Sequence, residues 1–442
     1  MTDGAVTGLE PRTAARAAGA RRPVQRRAPE VGLVAIVAIG MLGSTLGVTL
    51  GGVRLSPFRL AGVGAATWAL VVGRTELRRL GRRTTVLLGI ATAWLAWGVA
   101  SVAWAPAADA ALVDLLALVG GVGTVVSVAW LCERAGGIHA LLVGWWVAAT
   151  LASLLALGEL VTGIHPPSDF LALRPGFNDR FFTSTFGNPN DFAAFVLVAI
   201  PSALALLSTS TSARVRAALA TSISLMALMI VASQSRLCSV GLVFVAAVEV
   251  RARVRPLRRA LPWLMAGAIG LGLIVAASPP IREKFARIPS EVSAGGSIGD
   301  RLVLSTEGLR QAGHTGFVGL GAGGFAPTIR ALPEQLARSG DVNPHNFPIE
   351  VFAQYGALVF AAVAGWWVWA LRTTTQLARA ARARRARRSL LLAIAARSTL
   401  VALLLASLDP SSFIPSPTCW LGVATAAVLL RQATVDADLA SR

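Results

Sequence analysis

His345 stands in the string Asn343-Pro-His345-Asn346-Phe-Pro at the mouth of a long apolar run. An imidazole in such a place can accept a proton near neutral pH. Three arginines, Arg180, Arg236 and Arg301, fall on the same side of the chain's apolar runs. Each offers a permanent charge in a planar fork that matches phosphate oxygens. A histidine beside an amide and a proline can equally serve the helix that it opens, so the string leaves two readings, structural and chemical. Arg236 is similarly double. It sits in the turn Gln234-Ser235-Arg236 between two apolar stretches that share about 34 residues, where two full crossings of a membrane need roughly 40. Either the turn is recessed and its arginine needs an anionic partner, or the side chain simply reaches the headgroups.

Other polar strings surround these. The run Arg180-Phe-Phe-Thr-Ser-Thr-Phe-Gly-Asn-Pro-Asn-Asp191 ends at the start of an apolar stretch, where Asn188 and Asn190 suit a helix N-cap. Asp300 reads as the N-cap of a further helix, with Arg301 in its first turn, and another short helix is expected within residues 327–339. Gly319-Leu-Gly321-Ala-Gly-Gly324 matches G-x-G-x-x-G literally, but no strand precedes it and no βαβ unit surrounds it, so it reads as a turn and not as a nucleotide cradle. A metal site is not expected: the chain's Asp-x-Asp, Asp436-Ala-Asp438, lies in the C-terminal tail, and Asp191, Asp300, Glu307 and Asp341 are dispersed. Cys132, Cys238 and Cys419 are too scattered for a disulfide framework. No cofactor is implied.

The elements that must position these residues are membrane helices. Of 442 residues, 55% are hydrophobic and only 14% charged, with a mean hydropathy of +0.64, and backbone groups in lipid must bond within their own segment. Twelve apolar stretches are visible, at about 31–50, 57–73, 84–104, 110–131, 138–162, 189–207, 217–233, 237–250, 260–278, 347–371, 389–408 and 417–431. The predicted protein is therefore all-α, with a basic disordered tail (1–30), a polytopic membrane region (31–431) and a short C-terminal tail (432–442). A large outer loop (279–346) lies between the ninth and tenth spans. The net charge of +19 would suit nucleic acid, but its distribution argues otherwise. With the N-terminus inside, inner segments carry 28 basic residues and the short outer loops five, which is the positive-inside pattern. Both termini are thus expected in the cytosol and the run 372–388 on the inner membrane surface. Asp114 and Arg397 lie inside predicted spans, and no function is assigned to them.

The ordered set Phe-Gly-Asn188-Pro-Asn190-Asp191-Phe-Ala, Ser-Gln-Ser-Arg236, Gly-Asp300-Arg301, Gly-Leu-Gly-Ala-Gly-Gly-Phe and Pro-His345-Asn346 followed by Gly356 resembles the O-antigen ligase and polymerase superfamily. The resemblance runs over roughly residues 180–360. It implies a C-type glycosyltransferase-like helical membrane fold in the bacterial cytoplasmic membrane. The donor would be a glycan on a polyprenyl-diphosphate carrier and the acceptor a lipid or another glycan at the outer face. Arg236 and Arg301 would hold the diphosphate and His345 would act at the acceptor, with Arg180, Asn190, Asp191, Asp300 and Asn346 as substrate contacts. A glycosyl diphosphate carries its own leaving group, so such an enzyme needs charge stabilisation and positioning of the acceptor, without a metal. The rival reading is a twelve-span secondary transporter of a small solute or ion. Transporters set ionisable groups near the midplane and often show repeats, whereas here the polar strings gather outside and no repeat is visible.

Overall fold

The computed structural model describes residues 23–42, 48–50, 53–64, 66–67, 82–133, 137–166, 182–252, 297–332, 343–410 and 412–439. Besides helical residues 57–64 and 66–67, the α-helices among the described residues are α1 (Pro23–Met41), α2 (Arg82–Ser101), α3 (Ala108–Cys132), α4 (Gly137–Thr162), α5 (Pro189–Thr209), α6 (Ala213–Ala232), α7 (236–252), α8 (Ser297–His314), α9 (Phe325–Arg330), α10 (Phe347–Ala383), α11 (Arg387–Ala406) and α12 (Pro417–Leu439). Among the described residues, eight of these, α2 to α6 and α10 to α12, are long and apolar enough to span a bilayer. The protein is an all-α, multi-pass membrane protein. Large apolar side chains such as Leu154, Val161, Val243 and Leu358 face outward, as they do when lipid is the solvent.

The core lies where α11 packs between α5, α10 and α12, and where α4 and α3 extend it toward α1. Alanines dominate the buried faces, which lets helices approach closely where lipid supplies no hydrophobic drive for association. The buried Trp145 packs on Phe195, and its indole N–H donates to Thr425 Oγ1 at 2.8 Å, so the one polar atom of that large ring is satisfied.

Several expectations shift. The first apolar stretch, expected as a helix over 31–50, is helical only to Met41. Residues Val48–Leu50 and Val53–Leu55 form an antiparallel hairpin, with Val48 opposite Leu55. The β-branched Val48, Thr49 and Val53 favour strand, and Gly51-Gly52 has the sequence of a tight hairpin connection. α8 opens at Ser297, so Asp300 is in its first turn and is not its cap. Of the short helix expected within 327–339, residues 327–330 belong to α9, which begins at Phe325, and 333–339 lie outside the described residues. α10 continues into the basic run 372–388, as far as Ala383. The expected span 260–278 and the tail 1–22 lie outside the described residues.

α10 is broken at Gly356, where φ is 79° and ψ is −179°. The Gly-rich string read as a turn docks on this break. Leu320 N–H donates to Ala353 O (2.8 Å), Gly321 N–H to Gln354 O (2.9 Å), and Ala357 N–H to Phe317 O (2.9 Å). The Tyr355 carbonyl is taken by the indole N–H of Trp97 at 3.0 Å. These four backbone groups at the break thus have partners from protein, the condition under which breaks in membrane helices are tolerated. A Cβ at Gly356 would collide with the carbonyl oxygens of Phe317 and Val318. Only glycine fits there, on both space and φ.

Candidate functional site

The site forms at the end of the bundle where α5, α7, α8 and α10 begin and α11 ends. Each start has a local cause. Asn188 caps α5, its Oδ1 accepting from the N–H groups of Asn190 (2.8 Å) and Asp191 (3.0 Å), with Pro189 at the first turn where its missing N–H costs nothing. Asn346 caps α10, accepting from Ile349 N–H at 3.2 Å. α6 ends with Ser233 as its C-cap and Gln234 in the left-handed region (φ 60°), which turns the chain into α7. Ser233 and Ser235 are buried, so the Ser-Gln-Ser-Arg turn is tucked into protein.

Asp409 joins these starts. It follows α11 in the turn Leu408-Asp409-Pro410, and sequence reasoning did not single it out. Its buried carboxylate pairs with Arg301, Nη1 to Oδ1 at 3.2 Å, and accepts from the Ser235 hydroxyl. Its backbone carbonyl accepts from Arg301 Nη2 (3.4 Å), from His345 Nδ1 (3.3 Å) and from Asn190 Nδ2 (3.5 Å). Asp191 lies close enough for its charge to act on both His345 and Asp409. One residue therefore ties together four elements that are far apart in sequence. His345 itself has φ 48°, uncommon for a residue with a Cβ. The following amide, Phe347 N–H, donates to Ser407 O at 3.0 Å, so the entry to α10 is fastened to the end of α11 on both sides of the cap.

Of the expected site residues, the structure brings Arg301, His345, Asn190 and Asp191 together. Arg236 begins α7, half-buried, next to the Ser235 that bonds Asp409. Asn346 does its work as the cap of α10. Asp300 adjoins Arg301 in the first turn of α8, and Arg180 lies outside the described residues.

Three buried carboxylates that sequence reasoning left without a role hold the surrounding loops. Glu159 accepts from the N–H groups of Thr183 (3.2 Å) and Ser184 (2.6 Å) and from His165 Nδ1 (3.0 Å), fixing the approach to α5. Glu350 accepts from Phe413 N–H (2.9 Å) and the Ser412 hydroxyl, fixing the segment after Asp409. Asp114 accepts from Gly323 N–H (3.1 Å) and the Tyr355 hydroxyl, fixing the Gly-rich string. Each has backbone or hydroxyl donors in place of water, as a buried carboxylate requires. Beside this frame opens a cleft of about 490 Å³, whose lining includes Arg59, Asp109, Arg330, Pro344 and Glu350. Outside the spanning helices, Glu307 on α8 is held below the usual carboxylate range by hydrogen bonds from Arg310 (2.6 and 2.9 Å) and Gln311.

Chemically, the arrangement orients two groups at once. A carbonyl oxygen can only accept, so its bond to Nδ1 puts the proton of a neutral His345 there and makes Nε2 the basic nitrogen. Arg301 has five N–H donors, and Asp409 uses two. The remaining three can serve an anion without breaking the pair.

Residues 221–364 match the family model described as O-antigen ligase. Arg236, Arg301 and His345 fall within that window, and Asn190, Asp191 and Asp409 fall outside it. The chain is also similar to the teichuronic acid biosynthesis protein TuaE of Bacillus subtilis (strain 168), with 25% identity over 316 residues, 69% of this chain and 64% of that protein. The chain thus spans just under two thirds of that relative's length. Both comparisons support a place for this chain in the O-antigen ligase and polymerase superfamily.

Proposed function

We propose that this chain, a polytopic membrane enzyme similar to the O-antigen ligases, makes cell-envelope polysaccharide. It would transfer a glycan from a polyprenyl-diphosphate carrier to a lipid or glycan acceptor at the outer face of the cytoplasmic membrane. The observation that carries the reading is the convergence of the His345 imidazole and the Arg301 guanidinium on Asp409. In the reaction the acceptor hydroxyl oxygen bonds to the anomeric carbon, the bond from that carbon to the diphosphate oxygen breaks, and the hydroxyl proton passes to His345 Nε2. The diphosphate leaves with the bonding pair, and Arg301 and Arg236 offset its charge. Asp409 is a positioning residue: it orients Arg301 and fixes the tautomer of His345. Asn190 and Asp191 border the same space, and Arg180 and Asp300 belong to the proposed contacts by their resemblance to the family pattern. The cleft beside Pro344 would take a sugar, since it mixes arginines and carboxylates able to bond several hydroxyls.

The test is transfer by the purified protein with a polyprenyl-diphosphate-linked glycan and acceptor. His345→Ala should cost about 10²-fold or more in turnover while the donor still binds. Arg301→Ala should weaken both donor binding and turnover, with lysine a poor replacement because it lacks the fork. Near-normal transfer by either alanine variant would overturn the assignment.

The proposed reaction needs no divalent metal, because arginines offset the leaving-group charge. Excess chelator should leave the rate unchanged. Loss of activity on chelation, restored by Mg²⁺ or Mn²⁺, would show the arginine mechanism to be incomplete.

A further inference from the structure

A second cavity, of about 950 Å³, opens at the opposite end of the bundle from Asp409. It lies where α3 and α5 end and α4, α6 and α11 begin. Three arginines line it, Arg216, Arg387 and Arg388. The carboxylate in its lining, Glu133, is paired with Arg431 at 2.9 Å, and Arg388 is paired with Asp436 at 3.2 Å. Among the described residues, that leaves two guanidinium groups without a counter-charge. Arg387 reaches only the Ser208 carbonyl oxygen, at 3.5 Å, and Arg216 has no ion-pair or hydrogen-bond partner among the described residues. α6 adds to the positive potential, because its N-cap Ser212 makes no side-chain cap bond and the first-turn N–H groups retain their partial charge. The walls, by contrast, are apolar, with Leu142, Leu206 and Leu392 among them.

Positive charge at the mouth and leucine along the wall describe an amphiphile with an anionic head. We infer that this cavity binds the phosphate headgroup of an anionic glycerophospholipid, with Arg216 and Arg387 on the phosphate and an acyl chain along Leu142, Leu206 and Leu392. Basic pockets between membrane helices take such headgroups. The site is separate from the proposed transfer chemistry, and its occupancy is read without any glycan substrate.

The experiment is native mass spectrometry of the full chain released from detergent, titrated with dioleoyl-phosphatidylglycerol or dioleoyl-phosphatidylcholine. Arg216→Ala/Arg387→Ala is compared with Arg251→Ala/Arg379→Ala, which removes the same charge from exposed positions outside the cavity. Retention of phosphatidylglycerol should fall about ten-fold or more in the first variant and stay near wild type in the second, with phosphatidylcholine weak throughout. Equal retention by the two double variants would overturn the site. Displacement of phosphatidylglycerol by inorganic phosphate at equal concentration would overturn the lipid in favour of a free anion. Should the first variant not elute as a single species, Arg216→Glu alone, at an exposed side chain, is read in the same way.

Discussion

Asp409 separates charge from geometry in a way that mutation can exploit. Its carboxylate holds Arg301, while the bond to His345 comes from its backbone carbonyl, which any residue supplies. Asp409→Asn should therefore lower turnover by roughly ten-fold through a loosened Arg301. Combined with Arg301→Ala it should add little, because the two act as a unit. Full additivity would contradict this division. The residue also marks the limit of what the sequence made legible. His345, Arg301 and Arg236 could be placed at one end of the bundle from charge bias and apolar runs alone. Asp409 lies 64 residues from His345, 108 from Arg301 and 174 from Ser235. An Asp-Pro after an apolar run reads as an ordinary helix stop, and only packing shows that its two acceptor groups face inward.

Among the elements, α10 illustrates what hydropathy can and cannot report. Residues 347–371 read as one span, and a span they are, yet the break at Gly356 leaves no mark on an apolar pattern, because a glycine inside a helix costs only about 1 kcal/mol. What stabilises the break is the string from Phe317 to Gly324, whose sequence announced a turn but not its docking partner. Gly356→Ala must move the carbonyls of Phe317 and Val318 and force a side chain into φ 79°. The expected loss is about 1 to 3 kcal/mol, visible as a lower melting temperature in detergent and a reduced yield of inserted protein. Unchanged melting would mean that the helix can straighten without its clamp. Caps were partly legible: Asn188 announces α5 because a side-chain oxygen before an apolar run satisfies the first free N–H groups, whereas Asn346, expected as a substrate contact, caps α10.

For the whole molecule, orientation is the property that the sequence argued most fully, through the distribution of arginines. A membrane-impermeant maleimide should label Arg330→Cys in intact cells and leave Arg379→Cys unlabelled until the membrane is opened. The background is low, since Cys132, Cys238 and Cys419 are all buried and unpaired by disulfide. Labelling of position 330 only from the cytosolic side would reverse the topology. The packing of the spans was less legible than their existence, because apolar helices in lipid are matched by shape and small residues more than by any periodic pattern. The hydrophobic runs located α5 and α11, but not that they lie side by side.

The position of Asp409 in the chain has a consequence for synthesis. Asn190, Ser235, Arg301 and His345 all leave the ribosome before it, and each waits for the turn after α11 to gain its common acceptor. A nascent chain that has inserted through α10 already carries the guanidinium and the imidazole, yet holds neither in register. Chains stalled or truncated at that stage would sit in the membrane as inert by-products, unable to squander carrier-linked sugar, and catalytic competence would arrive in one late step of biogenesis.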